Sequence, residues 1–213
     1  MVTISYALCV FNEILELERL LAQIFQYIRK EDEIVVLFDN QNGTKEVRDY
    51  LDKINVECEF QKINFHRIFH PLNGNFAEHK NFLKQHCKND VIVQIDADEI
   101  FHENLIQNLP LLLEVNDADL IIIPRENYVN GITQEDINKW GWRIDEKGRI
   151  NYFDGQQRII RNKPEINWVN NVHEQIVGYK SVSQLPHDVE GWCLIHIKDI
   201  ERQRRQNLFY ENL

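Results

Sequence analysis

The sequence predicts an α/β protein with a mainly parallel sheet flanked by helices and a mixed or antiparallel C-terminal extension. Short apolar runs of strand length alternate with amphipathic helical segments in the first half of the chain, which is typical of a parallel sheet. In the second half this alternation ends and short β-prone runs follow one another. No linker or internal repeat interrupts the pattern. We therefore expect one domain over 1–213, with a first half of about 1–124 and a second half of about 125–213.

The elements of the first half follow from the spacing of its apolar side chains. Continuous β-prone runs predict strands at 4–11, 34–38 and 91–95, and a further β-prone segment at 56–65. The first helix carries apolar side chains at helical spacing from Leu17 to Ile28, and more helices are predicted at 45–54 and 76–87. Turn-prone residues at 39–44 and 71–75 separate these elements.

The second half predicts fewer regular elements. One buried strand is expected at 120–124, short runs such as 158–161 follow it, and a C-terminal helix is expected from about Asp199. Arg202, Arg204 and Arg205 form the one dense basic cluster of the sequence, and we interpret them as a solvated face of that helix.

Composition limits the partners and the compartment. Lys and Arg number 24 against 34 Asp and Glu, and the resulting formal charge of −10 repels nucleic acid and acidic membranes. No run approaches ~20 apolar residues, so no transmembrane segment is expected. The four cysteines lack a C-x-x-C pair, which favours buried thiols in a reducing compartment over zinc ligands or disulfides. Since the N-terminus has no signal-peptide pattern, we expect a cytoplasmic location, free or peripheral at a membrane.

Asp96 and Asp98 form the most informative motif, because they directly follow a predicted buried strand. The carboxyl ends of parallel strands meet at one sheet edge, so residues 11–13, Asp39 and this motif should converge there. Two carboxylates at one edge favour a hard divalent cation. A solvated acidic turn is the plain alternative. A phosphohydrolase of the haloacid dehalogenase type is another, although its motif lies near the N-terminus and continues to Thr or Val, where Ile100 stands here.

A series of short motifs resembles that of the family 2 glycosyltransferases, which have the Rossmann-like GT-A fold. In chain order the motifs are CVFNE at 9–13, FDNQNGT at 38–44, HKN at 79–81, QIDADE at 94–99, RIIRN at 158–162, WVNNVHE at 168–174 and LIHI at 194–197. Each motif is short, and their order and spacing over roughly 3–200 carry the resemblance. It implies that the first half binds a nucleotide sugar and the second half binds the acceptor.

The resemblance also implies donor-site and metal-site residues. The donor-binding residues are Phe11, Asn12, Glu13, Asp39, Lys80 and Asp96. Asp39 would accept a hydrogen bond from a base N–H, and Lys80, where the family often has arginine, would meet a phosphate as a point charge. The implied metal ligands are Asp96, Asp98 and His196, and the expected ion is Mn²⁺ or Mg²⁺.

The implied catalytic base is Glu174, which would take the proton from an acceptor hydroxyl during inverting transfer. Its neighbour His173 would orient it, contact the donor phosphates or pack in the acceptor site; an exposed His-Glu pair on an edge strand is the alternative. Asp154 is a further candidate, although Asp154-Gly155 also fits a plain turn. Trp140 and Trp142 are predicted to bind the acceptor as a stacking platform, with a buried loop anchor as the alternative.

Together these features predict a metal-dependent, inverting glycosyltransferase that moves one sugar from a nucleotide-diphosphate sugar, a UDP-sugar first among them, to an acceptor hydroxyl. A saccharide, lipopolysaccharide-core or glycolipid acceptor is favoured. Two alternatives stay open. One is transfer to a hydroxymethylated DNA base, as in some phage enzymes, and the other is a non-catalytic nucleotide-sugar-binding module. The sequence lacks the Q-x-x-R-W signature of processive synthases.

Overall fold

The computed structural model describes residues 1–211, so the last two residues of the predicted domain lie outside the described part. Its helices are α1 (Ile14–Tyr27), α2 (Lys45–Gln61), α3 (Phe76–Gln85), α4 (Glu103–Val115), α5 (Gln134–Trp140) and α6 (Ile200–Glu211). Its strands are β1 (Ile4–Val10), β2 (Glu33–Phe38), β3 (Phe65–Phe69), β4 (Val91–Asp96), β5 (Glu99–Phe101), β6 (Leu120–Asn130), β7 (Asp154–Arg161), β8 (Asn167–Val169), β9 (Gln175–Val177), β10 (Val182–Gln184) and β11 (Leu194–Asp199).

The central sheet has the strand order β3-β2-β1-β4-β7-β6-β11-β5. Strands β1 to β4 pair in parallel, β7 lies antiparallel between β4 and β6, and β5 closes the far edge antiparallel to β11. β10 pairs with the start of β6, and β8 and β9 form a separate hairpin. The predicted α/β class, a mainly parallel sheet followed by a mixed extension, is confirmed.

The sheet is buried on both faces, and β1 illustrates how. Tyr6 and Leu8 enter a hydrophobic cluster with the apolar stripe of α1, whereas Ala7 points to the other face and packs with residues of α3. Full burial of each large apolar side chain contributes about 1.5–3 kcal/mol, so the central strands form a rigid support. The loops at their carboxyl ends are therefore held in defined positions.

One predicted element is wrong in type. The sequence pattern predicts a β-prone segment at 56–65, but α2 continues to Gln61 and the following strand is β3. The apolar stripe of α2 extends at helical spacing through Leu51, Ile54 and Cys58, all buried, while the β-prone Val56 and Phe60 are exposed on its other face. Tertiary packing of that stripe thus overrides the local β-propensity.

Helix α4 is absent from the elements that the sequence pattern predicts. Pro110 lies inside it and breaks the local helical signal, yet Leu105, Leu109 and Leu113 form a buried stripe at i, i+4 and i+8.

Among the helices within residues 1–211, none is long and apolar enough to cross a membrane.

Candidate active site

The loops after the parallel strands meet at one edge of the sheet, as predicted. Val10 is the register partner of Phe38, and Cys9 is the partner of Asp96. Backbone hydrogen bonds tie the loops after β1 and β2 together, since Thr44 N donates to the Phe11 carbonyl at 2.7 Å. Residues far apart in sequence therefore lie together at this edge of the sheet.

Asp39 organises the loop that follows β2. Its side chain is buried and accepts hydrogen bonds from the backbone N–H groups of Gln41 and Leu72 and from the side chain of Asn42. Burial by itself raises the pKa of Asp39, but these hydrogen bonds outweigh it and the pKa is lowered. The turn also requires Gly43, because a Cβ there would lie 2.3 Å from the Asp39 carbonyl oxygen. The predicted contact between Asp39 and a base stays a prediction.

The loop after β1 exposes two of its three predicted donor-site residues. Phe11 is 39% exposed and Asn12 is exposed, whereas the Glu13 carboxylate turns back and accepts hydrogen bonds from both of their backbone N–H groups at 3.1 Å. Burial raises the pKa of Glu13 despite these bonds. Glu13 thus shapes the loop, and the aromatic face of Phe11 remains open for a ligand.

Asp96 is engaged by a buried arginine that sequence reasoning did not identify as a site residue. Arg158 of β7 contacts Asp96, and the same guanidinium binds Glu99 at 2.7 Å and 2.9 Å. Gln94 donates a further hydrogen bond to Asp96 at 3.0 Å. Burial raises the pKa of Asp96, but the positive charges of Arg158 and Lys80 have the larger effect. The pKa therefore lies well below its usual range, and the carboxylate stays ionised. The detectable signal is an arginine directly before the two isoleucines of the short run at 158–161.

Asp98 lies beside the predicted histidine. The distance from Asp98 Oδ2 to His196 Nε2 is 3.2 Å. The pairing of β11 with β5 explains this approach, because His196 is the register partner of Glu99. Burial raises the pKa of Asp98, but the hydrogen bond with His196 and the charge of Lys198 outweigh it and lower the pKa to about 2.

The donor set at Asp98 suits a hard divalent ion only in part. Asp98 and His196 offer an oxygen and an imidazole nitrogen side by side, and Mg²⁺ or Mn²⁺ bound near phosphates needs few protein ligands. Asp96 is held by Arg158 and Gln94. Within residues 1–211 no group of three or more His, Cys, Asp or Glu side chains is arranged to hold a metal. Asp98 and His196 lie close enough together to hold an ion with the help of phosphate oxygens, and all three predicted ligands, Asp96 included, stay predictions.

A polar network connects Asp98, through His196, to Asp154. His196 Nδ1 lies 2.8 Å from Asn127 Oδ1, and Asn127 donates to Asp154 at 2.7 Å. Arg125 then bridges Asp154 and Glu99, at 2.8 Å each. Asp154 is therefore a half-buried member of this network. Arg125, Asn127 and Glu99 are members that the sequence analysis did not predict as site residues.

Glu174 pairs with Lys80, and the side chains of both are largely buried. Cys9, the register partner of Asp96, lies within electrostatic range of this pair. Burial raises the pKa of Cys9 to about 12, and the charges of Lys80, Asp96 and Glu174 all act on it. His173, by contrast, is exposed, with a positive φ of 52°.

The two predicted acceptor-site tryptophans lie together at the end of α5. The ring centroids of Trp140 and Trp142 are 4.7 Å apart, and both side chains are half-buried. Asp136 of α5 binds Arg204 of α6 at 2.9 Å, which fixes the helix that carries Trp140. Acceptor binding by this pair stays a prediction.

The arginine cluster at 202–205 is a solvated face only in part, because Arg202 is 28% exposed and contacts Asp98 and Glu16. Arg204 pairs with Asp136 and keeps 41% of its side chain exposed, so the interpretation is wrong for Arg202 alone. Arg205 is exposed as predicted. The cysteines follow the prediction more closely, because all four are free and Cys58, Cys87 and Cys193 are buried.

Comparison with known proteins identifies a sequence family and solved structures of similar fold. The sequence model of glycosyl transferase family 2 matches residues 5–173. The structure of S. aureus TarS 1–349 in complex with UDP-GlcNAc superposes with a TM-score of 0.64 at 14% identity, covering 93% of this chain and 59% of that chain. The complex of the same fragment with UDP gives 0.63 and 14%, covering 92% and 60%. Full S. aureus TarS gives 0.61 and 12%, covering 98% and 38%.

This chain therefore spans about 60% of the TarS fragment, and the likeness concerns the fold. No curated protein sequence matches the chain significantly.

Proposed function

The chain belongs to glycosyl transferase family 2, and from this premise we propose that it is a metal-dependent, inverting enzyme that moves one sugar from a nucleotide-diphosphate sugar to an acceptor hydroxyl. The observation that carries the proposal is that the Asp96 and Asp98 motif ends a strand next to the loops after β1 and β2, with the pair of Lys80 and Glu174 within electrostatic range of Cys9, the register partner of Asp96. TarS, which shares the fold, was crystallised with UDP and with UDP-GlcNAc. We therefore propose a UDP-sugar as the donor.

The transfer step needs one base and one stabilised leaving group. The acceptor oxygen attacks the anomeric carbon as its proton passes to Glu174. The bond from that carbon to the diphosphate oxygen breaks, and its electron pair leaves with the nucleoside diphosphate. Glu174 suits the role of base because Lys80 holds its carboxylate in one position.

A divalent cation would be held by Asp98 and His196, which lie 3.2 Å apart. When bound, such an ion supplies positive charge to the diphosphate. The low pKa of Asp98, about 2, keeps this carboxylate ionised at every ordinary working pH. Phe11 would contact the base of the nucleotide through its exposed ring, and the Asp39 loop would line the nucleotide pocket.

We propose a saccharide-type acceptor, because the half-buried Trp140 and Trp142 offer adjacent aromatic rings. A DNA acceptor has less support. The chain carries a formal charge of −10, which repels a polyanion such as DNA. The pairing of Lys80 with Glu174 also favours a working base over an idle binding module.

The proposal is tested by donor turnover. The protein is incubated with Mn²⁺ and a panel of UDP-sugars, with and without simple saccharides, and release of UDP is followed. We expect release from at least one donor, and its loss in Glu174→Gln. The matched control is Glu165→Gln, which alters an exposed glutamate. If UDP binds but no donor releases it under any condition, the chain is a binding module.

A further inference from the structure

Three basic side chains from the last part of the chain converge on a single oxygen of Asp98. His196 Nε2, Arg202 Nη2 and Lys198 Nζ lie 3.2, 3.4 and 3.9 Å from Asp98 Oδ2. The family resemblance implies His196 at this place, but it implies neither Lys198 nor Arg202. Their side chains are 11% and 28% exposed, so both are largely buried but reach solvent.

The local structure explains why these groups share one side. His196 and Lys198 are two residues apart on β11, and alternate residues of a strand face the same way. Arg202 lies in the first turn of α6, which follows β11 directly. Its guanidinium also reaches Glu16, at 2.6 Å, and Glu13, at 3.5 Å, near the start of α1.

The basic groups at this point are able to meet an anion. Lys198 and Arg202 bring two positive charges to one oxygen of Asp98, and Arg202 also contacts Glu13 and Glu16. The whole chain has a formal charge of −10, which repels a diphosphate unless local cations attract it. Arginine and lysine are the usual partners of phosphate oxygens. The cluster lies beside the motif proposed to hold the donor, so a diphosphate is the anion within reach.

We propose that Lys198 and Arg202 bind the diphosphate of the donor and stabilise it as it leaves. This inference rests on the proposed function and adds two ligands to its donor site. In the free protein the two cations are balanced by Asp98, Glu13 and Glu16. When the bond between the anomeric carbon and the diphosphate breaks, the electron pair passes to the β-phosphate oxygen, and the two cations offset the new charge.

The test compares UDP with UMP, because they differ by the phosphate in question. Both affinities are measured by calorimetry on the full chain, once with EDTA and once with Mn²⁺. We expect the wild type to bind UDP at least about tenfold more tightly than UMP even in EDTA, as a charge-assisted contact implies. In Arg202→Gln and in Lys198→Met this ratio should fall to about threefold or less, with the UMP affinity unchanged.

Arg205→Gln is the matched control, since it removes the same charge from an exposed position of the same helix. Arg202→Lys should retain part of the UDP preference, and a thermal melt of each variant checks its folding. An unchanged UDP-to-UMP ratio in folded Arg202→Gln and Lys198→Met would show that the cations serve only the fold. Tighter UDP binding in those variants would show that they block the site. Either result overturns the inference, whereas a wild type that binds no nucleotide at all refutes the proposed function itself.

Discussion

The ammonium group of Lys80 contacts the carboxylate of Glu174, which lies 94 residues further along the chain. The contact joins α3 to the loop that precedes β9, and the side chains of the two partners are only 9% and 20% exposed. A buried ion pair of this kind holds both groups in place, and removal of one partner leaves the other uncompensated. The candidate base is therefore positioned by a residue that the family resemblance assigned to the donor phosphate.

We predict that Lys80→Met lowers the transfer rate by about 10–100-fold, because Glu174 loses the group that orients it. The affinity for UDP should change by less than about threefold, which the same calorimetry measures. Lys84→Met is the control on the same helix, since Lys84 binds the Lys163 carbonyl. A large loss of UDP affinity with an intact rate would instead support the phosphate contact.

Removal of Arg158 should destabilise the whole protein. Its guanidinium serves both Asp96 and Glu99, and Glu99 is completely buried. Arg158→Met leaves these carboxylates without that partner, which costs about 3–5 kcal/mol. The melting temperature should fall by roughly 6–20 °C. Arg143→Met, at an exposed position, should leave it nearly unchanged. An equal melting temperature for both variants would show that the buried ion pairs contribute nothing to stability.

His79 should make stability depend on pH in mildly acidic solution. Burial lowers its pKa from 6.5 to about 4. Between pH 6.5 and pH 4 the unfolded chain therefore binds a proton at His79 that the folded chain does not bind. The contribution of neutral His79 to the free energy of unfolding is complete above pH 6.5 and is lost as the pH falls towards 4. Chemical denaturation between pH 7 and pH 4 should show a smaller loss of unfolding free energy in His79→Leu than in the wild type. His187→Gln, at an exposed position, should follow the wild-type curve.

Gly43→Ala should disturb the nucleotide loop specifically. The added Cβ would lie 2.3 Å from both the Asp39 carbonyl oxygen and the Phe38 ring, so the turn must open. We expect UDP to bind at least about tenfold more weakly, with a modest loss of stability. Gly148→Ala offers a comparison, since a Cβ there has no atom within 4 Å, although its φ of 79° is itself strained. UDP binding that is unaffected by Gly43→Ala would show that the base of the nucleotide binds elsewhere.

Much of the fold and part of the site could be predicted from the sequence. Strand-length apolar runs predict the parallel strands, and the carboxyl ends of parallel strands share one edge, so Asp39 and Asp96 are expected together there and are found there. The proximity of His196 to Asp98 agrees with the family resemblance.

The missed residues share a physical cause. Arg158 meets Asp96 because β7 pairs antiparallel with β4, and Lys198 reaches Asp98 because β11 pairs with β5. These registers depend on contacts between distant segments, and no local pattern encodes them. The predicted helix at 45–54 is shorter than α2 for a related reason, because the buried stripe of α2 is recognised only once Cys58 is known to pack.

The most direct test of the central claim measures metal-dependent nucleotide binding at Asp98. UDP is titrated into the wild type and Asp98→Asn by calorimetry, with Mn²⁺ and with EDTA. The account predicts that Mn²⁺ strengthens UDP binding to the wild type by at least about tenfold and that this gain disappears in Asp98→Asn. Asp117→Asn, at an exposed position outside the loops after β1, β2 and β4, should retain the gain. An Asp98→Asn protein that keeps the full effect of Mn²⁺ would contradict the proposed donor site.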